Sequence, residues 1–546
     1  MKASDFIVEY LVGSGITDVF GYPGGMVTHL MDSFYRNCHR IAAHTTYNEQ
    51  GAAMAACGYA QTSGKVGVAF ATSGPGATNL ITGICNAWFD SIPALFITGQ
   101  VNTSESAKQY TVRQRGFQET DIVALVSSIT KYAAYVSIAD ELPGHLEKAL
   151  NEATTGRMGP VLLDIPMDVQ RGMVEGDLPH VPSPVSVATS SSCDDGFATY
   201  IVDALKMAKR PCLVIGNGVR QSVSKEMLIQ LIQRQKLPVV TSMIAVDMIP
   251  SDCEATQYHY GFIGTYGTRC ANFIVAKSDL IISIGARLDV RQIGNVREDF
   301  APDARIIRVD IDENELDYRV RNEKSFCMNA GKALGALFNC GYVKDYSEWL
   351  EVCDTIKERL RFLDESETKL MMACISEKIP DHTVITTDVG QNQVWAAQSF
   401  KIKRNQTVLF SGGHAAMGYS LPAAIGAYYG SEKPVVSLNG DGGIQMNIQE
   451  LQFIAREQLP IKVVVFNNNA LGMIRHFQEM YFNGCYSLTT PDGGYTAPDF
   501  CELAKAYGLP SARVRNKTDI ETLDFKDGKP ELIEILLQGD TYVFPK

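Results

Sequence analysis

The chain has no excess of basic residues: 49 Lys and Arg stand against 61 Asp and Glu, a net charge of −12. Nucleic acids and anionic membranes reward a basic surface, so neither is expected as a generic partner. No apolar run approaches the ~20 residues that span a bilayer. The opening "MKASDFIVEYLVGSGITDVFGYPGG" lacks the apolar core of a secretory leader and instead sets apolar residues at helical spacing among acids. The thirteen cysteines are scattered and odd in number, with no C-x-x-C pair, which argues against a disulfide framework or a zinc site. Free thiols in a reducing compartment, and a cytoplasmic protein, are the expectation. An apolar fraction of 45% and a charged fraction of 20% leave no case for disorder.

What is present is enough chain for about three domains at ~150–200 residues each. "EGDLPHVPSPVSVATSSSCDDG", Glu175 to Gly196, is rich in Pro, Ser and Asp and reads as a linker. A weaker break falls at Asn339 to Ser347. The expected domains are therefore 1–175, 190–340 and 360–546. Each alternates short apolar runs with amphipathic ones, the pattern of an α/β fold with a mostly parallel sheet flanked by helices. Runs such as "PCLVIGNGV", "DLIISIGAR", "TVITTDVG" and "PVVSLNGDGG" end in Gly, Asp or Asn, and ligands of open parallel sheets lie beyond such carboxyl ends.

One stretch is more specific: "GDGGIQMNIQELQFIAREQLPIKVVVFNNNALGM", Gly440 to Met473. A strand–helix–strand reading places Asp441 and Asn468 at the ends of neighbouring strands. A carboxylate and an amide oxygen suit Mg²⁺, and Mg²⁺ seldom sits in an all-protein cage but takes phosphate oxygens as well. The pair predicts a phosphorylated ligand.

G-D-G followed at this distance by N-N resembles the thiamine diphosphate-binding motif. With "FGYPGG", "NEQGAAMAACGYA", "TSGPGATNLITG", "GFQETDI", "GARLDVR", "TDVGQNQVWAAQ", "SGGHAAMGYSLPAAIGA" and "LGMIRHFQEMYF" in the same order, the chain resembles the acetohydroxyacid (acetolactate) synthase family over nearly its whole length. The resemblance implies Asp441, Asn468 and the Ala470 carbonyl as Mg²⁺ ligands. It implies Glu49 as the acid facing the cofactor pyrimidine, Met417 as the side chain under the bent cofactor, and the Ala415 carbonyl as acceptor for its amino group. Val389, Gly390, Gln391, Asn392, Gly440, Gly442, Gly443, Leu471, Gly472 and Met473 are implied around the diphosphate and thiazolium. Gly25, Phe117, Gln118, Lys131 and Phe477, again with Met473, are implied around the second substrate. Arg157, Gly216, Gly218, Gly264, Gly285, Arg287, Asp289, Arg291 and Asp310 match FAD-binding positions. The family further implies a dimer or tetramer whose sites join the first domain of one subunit to the third of another.

The implied chemistry is decarboxylation of pyruvate and transfer of the two-carbon unit to a second 2-oxo acid. Several residues depart from the family pattern: Phe477 stands in place of Trp, Asn48 and Asn392 in place of His, and Asn329 where Asp is common, while Arg115 precedes "GFQE". The chain also stops soon after "ELIEILLQGD", where the family carries a longer tail, so a more open cavity is expected. A larger ketone acceptor such as a keto-sugar nucleotide, or a decarboxylase or pyruvate oxidase, are the alternatives. Intact Glu49, Asp441 and Asn468 argue against a non-catalytic relative.

Overall fold

The computed structural model describes residues 1–175, 195–321, 324–539 and 541–545, so the expected linker lies almost entirely outside the described residues. The first sheet comprises β1 (Asp18–Gly21), β2 (Ala42–Thr45), β3 (Gly67–Ala71), β4 (Ala94–Gln100), β5 (Tyr132–Tyr135) and β6 (Pro160–Pro166), in the order β2-β1-β3-β4-β6-β5. The second holds β7 (Pro211–Ile215), β8 (Val239–Thr241), β9 (His259–Phe262), β10 (Leu280–Ile284), β11 (Arg305–Asp310) and β12 (Lys324–Cys327), in the order β12-β11-β10-β7-β8-β9. The third holds β13 (Val384–Thr387), β14 (Thr407–Phe410), β15 (Val435–Gly440), β16 (Ile461–Asn467), β17 (Ser511–Val514) and β18 (Glu531–Leu536), in the order β14-β13-β15-β16-β18-β17. Every pairing is parallel. Runs such as "PCLVI" and "LIISI" are buried along their whole length, as strands covered by helices on both faces must be.

The strand orders decide where ligands can bind. In the first sheet the chain steps outward from β1 to β2 and then crosses to β3, so the crevice lies between β1 and β3. The third sheet repeats that order with β13 and β15, and the second has its reversal between β7 and β10. Residues expected to touch ligands follow five of these strands, at Gly25, Gly216–Gly218, Gly285–Arg291, Val389–Asn392 and Asp441–Gly443, and the turn Gly74–Gly76 follows the sixth, β3.

The first and third domains are locked by the helices Glu49–Ser63 and Ser420–Ser431, each following the second strand of its sheet. Their Ala- and Gly-rich faces explain how closely they approach. A Cβ on Gly426 would stand 1.8 Å from the Ala55 carbonyl oxygen, and one on Gly58 2.1 Å from that of Ala423. No side chain fits between these backbones. The helix Ser347–Leu360, which follows the break at Asn339–Ser347, packs on the second sheet: Trp349 and Cys353 join its core, and the Trp349 indole donates to the Pro211 carbonyl at 3.0 Å. Among the described residues, no helix is long and apolar enough to cross a membrane.

Candidate active site

Asp441 leaves β15 and Asn468 leaves β16, adjacent strands in register Gly440↔Phe466, so the acid and the amide emerge side by side. The Ala470 N–H joins them, donating to Asp441 Oδ2 at 3.1 Å and to Asn468 Oδ1 at 3.3 Å. Asn468 Nδ2 is occupied by Gln391 Oε1 and Thr541 Oγ1, each at 3.0 Å, which holds the amide in one orientation. Burial pushes the Asp441 carboxyl up to about 7, against hydrogen bonds from Ala470 and Gly442 that pull it down. A divalent cation beside it would supply the charge that burial removes.

The neighbouring crevice edge is built from residues with little or no side chain. Gly390, at φ 137°, turns the chain from β13 into the helix Gln391–Ser399 in a conformation open to glycine alone. A Cβ on Gly472 would stand 2.0 Å from Gln391 Oε1, and one on Gly442 2.5 Å from a Leu471 methyl. Gln391 is 5% exposed, and its Nε2 has no hydrogen-bond partner among the described residues. A spare buried donor between two glycine turns fits a phosphate oxygen. The Asn392 amide nitrogen donates to the Asp388 carbonyl at 2.9 Å, and its Oδ1 lies 3.0 Å and 3.2 Å from where Cβ atoms on Gly390 and Gly440 would stand. Met473 is half-buried against the core of the third sheet.

Asp388 organises this edge, and nothing in the sequence pattern singles it out. Wholly buried at the end of β13, it accepts from Val389 N (2.8 Å), Gly418 N (2.9 Å) and Tyr419 N (3.2 Å). A Cβ on Gly443 would stand 2.0 Å from its Oδ2. One carboxylate therefore touches the loop after β13, the Gly-Asp-Gly turn and the turn after Met417. That last turn is tightly wound: Ala415 has φ 57° and Gly418 φ 83°. Met417 lies over Gly442, its methyl 3.5 Å from where a Cβ would be, and is partly exposed to the crevice.

Glu49 is the first residue of its helix, which Asn48 caps by accepting from the Gln50 N–H at 2.8 Å. Glu49 is 7% exposed. Asn79 donates to Oε2 at 2.9 Å, while Oε1 lies 3.0 Å from where a Cβ on Gly76 would stand. One oxygen is thus held and the other faces a position that only glycine leaves open. Glu450 of the third domain fastens the approach to this residue: fully buried, it accepts from the Tyr47 N–H at 2.9 Å, and burial pushes its carboxyl up to about 7. Asn79 and Glu450 were legible only within longer matched segments.

Of the residues expected around the second substrate, Gly25 borders open space and Phe117 is exposed. Gln118 adopts φ 59° and packs its carbonyl 2.6 Å from a Cβ position on Gly74, two residues from Gly76. Lys131 is placed otherwise. Its ammonium donates to the carbonyls of Glu152 and Thr155, at the C-terminal end of the helix Leu142–Thr154, and burial lowers its pKa. Phe477 is partly exposed and stacks on Tyr481 at 5.8 Å. The neighbouring His476 is buried under Tyr542, rings 4.5 Å apart, so the C-terminal segment covers this helix.

A cavity of about 570 Å³ opens where the three domains meet. Gly218, Gly264, Gly285, Arg287, Asp289, Arg291, Asp310 and Arg157 line it, with Asn329 at its edge. Gly216 does not; it is needed because a Cβ there would lie 2.0 Å from the Gly285 carbonyl. Arg157 pairs with Asp312 and Glu315, both at 3.0 Å, and the Ser242 hydroxyl in the wall is buried without a partner among the described residues. Asp90 ties this cavity to the Met417 turn by accepting from Gly412 N (3.0 Å) and Gly413 N (2.7 Å).

Comparison with known proteins agrees with this geometry. Residues 1–125 match the thiamine pyrophosphate enzyme N-terminal TPP binding domain, 198–337 the central domain and 388–535 the C-terminal TPP binding domain. The acetolactate synthase isozyme 2 large subunit of Escherichia coli is 35% identical, with all of this chain and 97% of that protein covered. The probable acetolactate synthase large subunit of Methanocaldococcus jannaschii is 35% identical (100% and 91% covered), and the acetolactate synthase large subunit of Corynebacterium glutamicum 36% (100% and 88%). With full-length relatives above 30% identity and three domain matches in order, this chain belongs to the acetolactate synthase large-subunit family of thiamine pyrophosphate enzymes.

Proposed function

We propose that this protein decarboxylates pyruvate and joins the remaining two-carbon unit to the carbonyl carbon of a second oxo compound, giving acetolactate when that compound is pyruvate. The observation that carries the reading is the Asp441–Asn468 pair beside the Gln391 Nε2, which has no partner among the described residues, a site for Mg²⁺ and a diphosphate. When bound, thiamine diphosphate supplies the electron sink that lets a 2-oxo acid lose CO₂. Asp441, Asn468 and the Ala470 carbonyl would hold the metal, with Gly390, Gln391, Gly442 and Gly443 against the diphosphate. Met417 and the Ala415 carbonyl would orient the ring portion.

Glu49 would hold the pyrimidine through the oxygen that Asn79 leaves free, as the acid that a proton shift on that ring needs. The two half-sites belong to different sheets, and a second copy of the chain completes each one. The central cavity would hold FAD as a structural ligand, with its glycine turns and the Ser242 hydroxyl, unpartnered among the described residues, available to the polar groups of a dinucleotide. A flavin absorbance band on the purified protein tests that assignment. The activity is tested by mass spectrometry of the products from pyruvate with thiamine diphosphate, Mg²⁺ and FAD supplied. CO₂ with acetolactate or another adduct supports it; intact pyruvate would refute it.

A further inference from the structure

The segment after β4 is a basic loop pinned at its base. Glu119 closes it at the base. One carboxylate oxygen accepts from Ser106 Oγ (3.0 Å) and Ala107 N (2.5 Å), the other from the N–H groups of Arg115 (3.2 Å) and Gly116 (3.1 Å). Burial opposes the charge on Glu119, yet these donors prevail and hold its pKa below the ordinary value. Both ends of the loop are therefore pinned to one anion, and residues 108–115 stand exposed.

That exposed tip reads "KQYTVRQR": three cations and no acid, in a protein of net charge −12. The Lys108 ammonium sits 3.4 Å from the centre of the Tyr135 ring, and Arg115 lies over Tyr110 at 4.6 Å while donating to the Ser104 carbonyl at 2.8 Å. Among the described residues, none of the three cations has a carboxylate partner and Arg113 has no polar partner at all. Aromatic faces hold Lys108 and Arg115 in place, with main-chain oxygens also on Arg115.

The base of the loop adjoins the reaction site. Gly116 packs on Val101, and Gln118 on Gly74; Gly76, two residues on, faces the Glu49 carboxylate. From Gly116 to Arg113 the chain can span up to about 10 Å at ~3.3–3.6 Å per residue. Pyruvate has its only anionic group on the carbon next to the reacting carbonyl, whereas an anion set back from the carbonyl can extend along the loop toward this tip. Several cations, one of them a free guanidinium fork, match an anion with several oxygens.

We propose that the acceptor is a phosphate-bearing ketone or aldehyde whose phosphate or diphosphate, set back from the reacting carbonyl, is received by Lys108, Arg113 and Arg115. This rests on the reading of the Glu49 crevice as the reaction site. The bond from pyruvate's carboxylate carbon breaks and CO₂ leaves. The electron pair left on the two-carbon unit forms the new C–C bond to the acceptor carbonyl carbon, whose oxygen takes a proton. Nothing is oxidised or reduced overall.

The test measures binding of UDP and of inorganic pyrophosphate, by calorimetry, to protein saturated with thiamine diphosphate, Mg²⁺ and FAD. CO₂ release from pyruvate is recorded in the same samples. At least one probe is expected to bind at low salt, to weaken at high salt, and to lose about tenfold or more in affinity in Arg113→Glu while Arg113→Lys retains most of it. UDP binding better than pyrophosphate assigns a nucleotide-borne carbonyl; equal binding assigns a simple phosphate ester. CO₂ release with no probe bound, or with Arg113→Glu binding as tightly as the unmodified protein, overturns the proposal and leaves the site standing. Absence of any CO₂ release overturns the site and the proposal together.

Discussion

Replacing Asp388 separates the two things that its carboxyl does. With alanine, the N–H groups of Val389, Gly418 and Tyr419 lose their acceptor in a site closed to solvent. At about 1–3 kcal/mol for each orphaned buried donor, and with water entering the space left behind, a loss of about 3–5 kcal/mol is expected. Asparagine keeps one acceptor oxygen and differs mainly in charge. Burial pushes the Asp388 carboxyl up to about 7 from an ordinary 3.8. Between about pH 4 and 7 the folded state therefore holds a proton that the unfolded state has released, and stability falls as pH rises through that window. The shift of about three units corresponds to at most about 4 kcal/mol at ~1.4 kcal/mol per unit. Asp388→Asn lacks this slope. It should be close to the unmodified protein at pH 5 and gain on it by up to about 3 kcal/mol by pH 8, from the roughly two units between pH 5 and 7 at ~1.4 kcal/mol each. Urea unfolding of the cofactor-free protein, followed across pH 5 to 8, gives the comparison. A gap that does not grow with pH, or an alanine variant costing under about 1 kcal/mol, would refute the reasoning.

Three further outcomes follow from the same contacts. Asn79→Ala should lower kcat by about 10- to 100-fold, the equivalent of one charge-assisted hydrogen bond, with little change in thiamine diphosphate affinity; equal losses in both would mean a general collapse of the crevice. Gly426→Val must push apart a pair of helix backbones in contact, and a fall in melting temperature with loss of soluble protein is expected, at about 3 kcal/mol or more; an unchanged Tm would contradict the packing. Removing residues 541–546 frees the Asn468 amide from Thr541 and uncovers His476, so Mg²⁺-dependent cofactor binding should weaken several-fold by titration while the fold persists.

The placement of Asp441 and Asn468 was legible because it needs only a strand–helix–strand unit, and the buried runs "VVSLNG" and "IKVVVFN" admit little else. The glycines were legible as turns, but not the reasons for them. That Gly443 yields to a carboxylate, or Gly426 to a carbonyl from another domain, depends on tertiary approach that no local pattern records. Asp388, Glu450 and Asp90 escaped for the same reason. An acid at a strand end or in a helix reads as solvated until the fold closes over it. Lys131 shows the converse: the matched segment implied a place near the second substrate, whereas the nearest unsatisfied acceptors are the carbonyls ending the helix Leu142–Thr154, and its ammonium goes there. In the sequence Arg115 reads either as a seat for an anionic acceptor or as a solvated side chain, and the four donors converging on Glu119 reveal the segment around it as a built loop.

The most direct test of the central claim is Glu49→Gln, assayed with ¹³C-labelled pyruvate by NMR while thiamine diphosphate binding is measured on the same preparation. The account predicts that the cofactor still binds and that CO₂ release and adduct formation fall by at least about 100-fold, because an amide cannot replace the carboxylate at the pyrimidine. Turnover at the unmodified rate would contradict it.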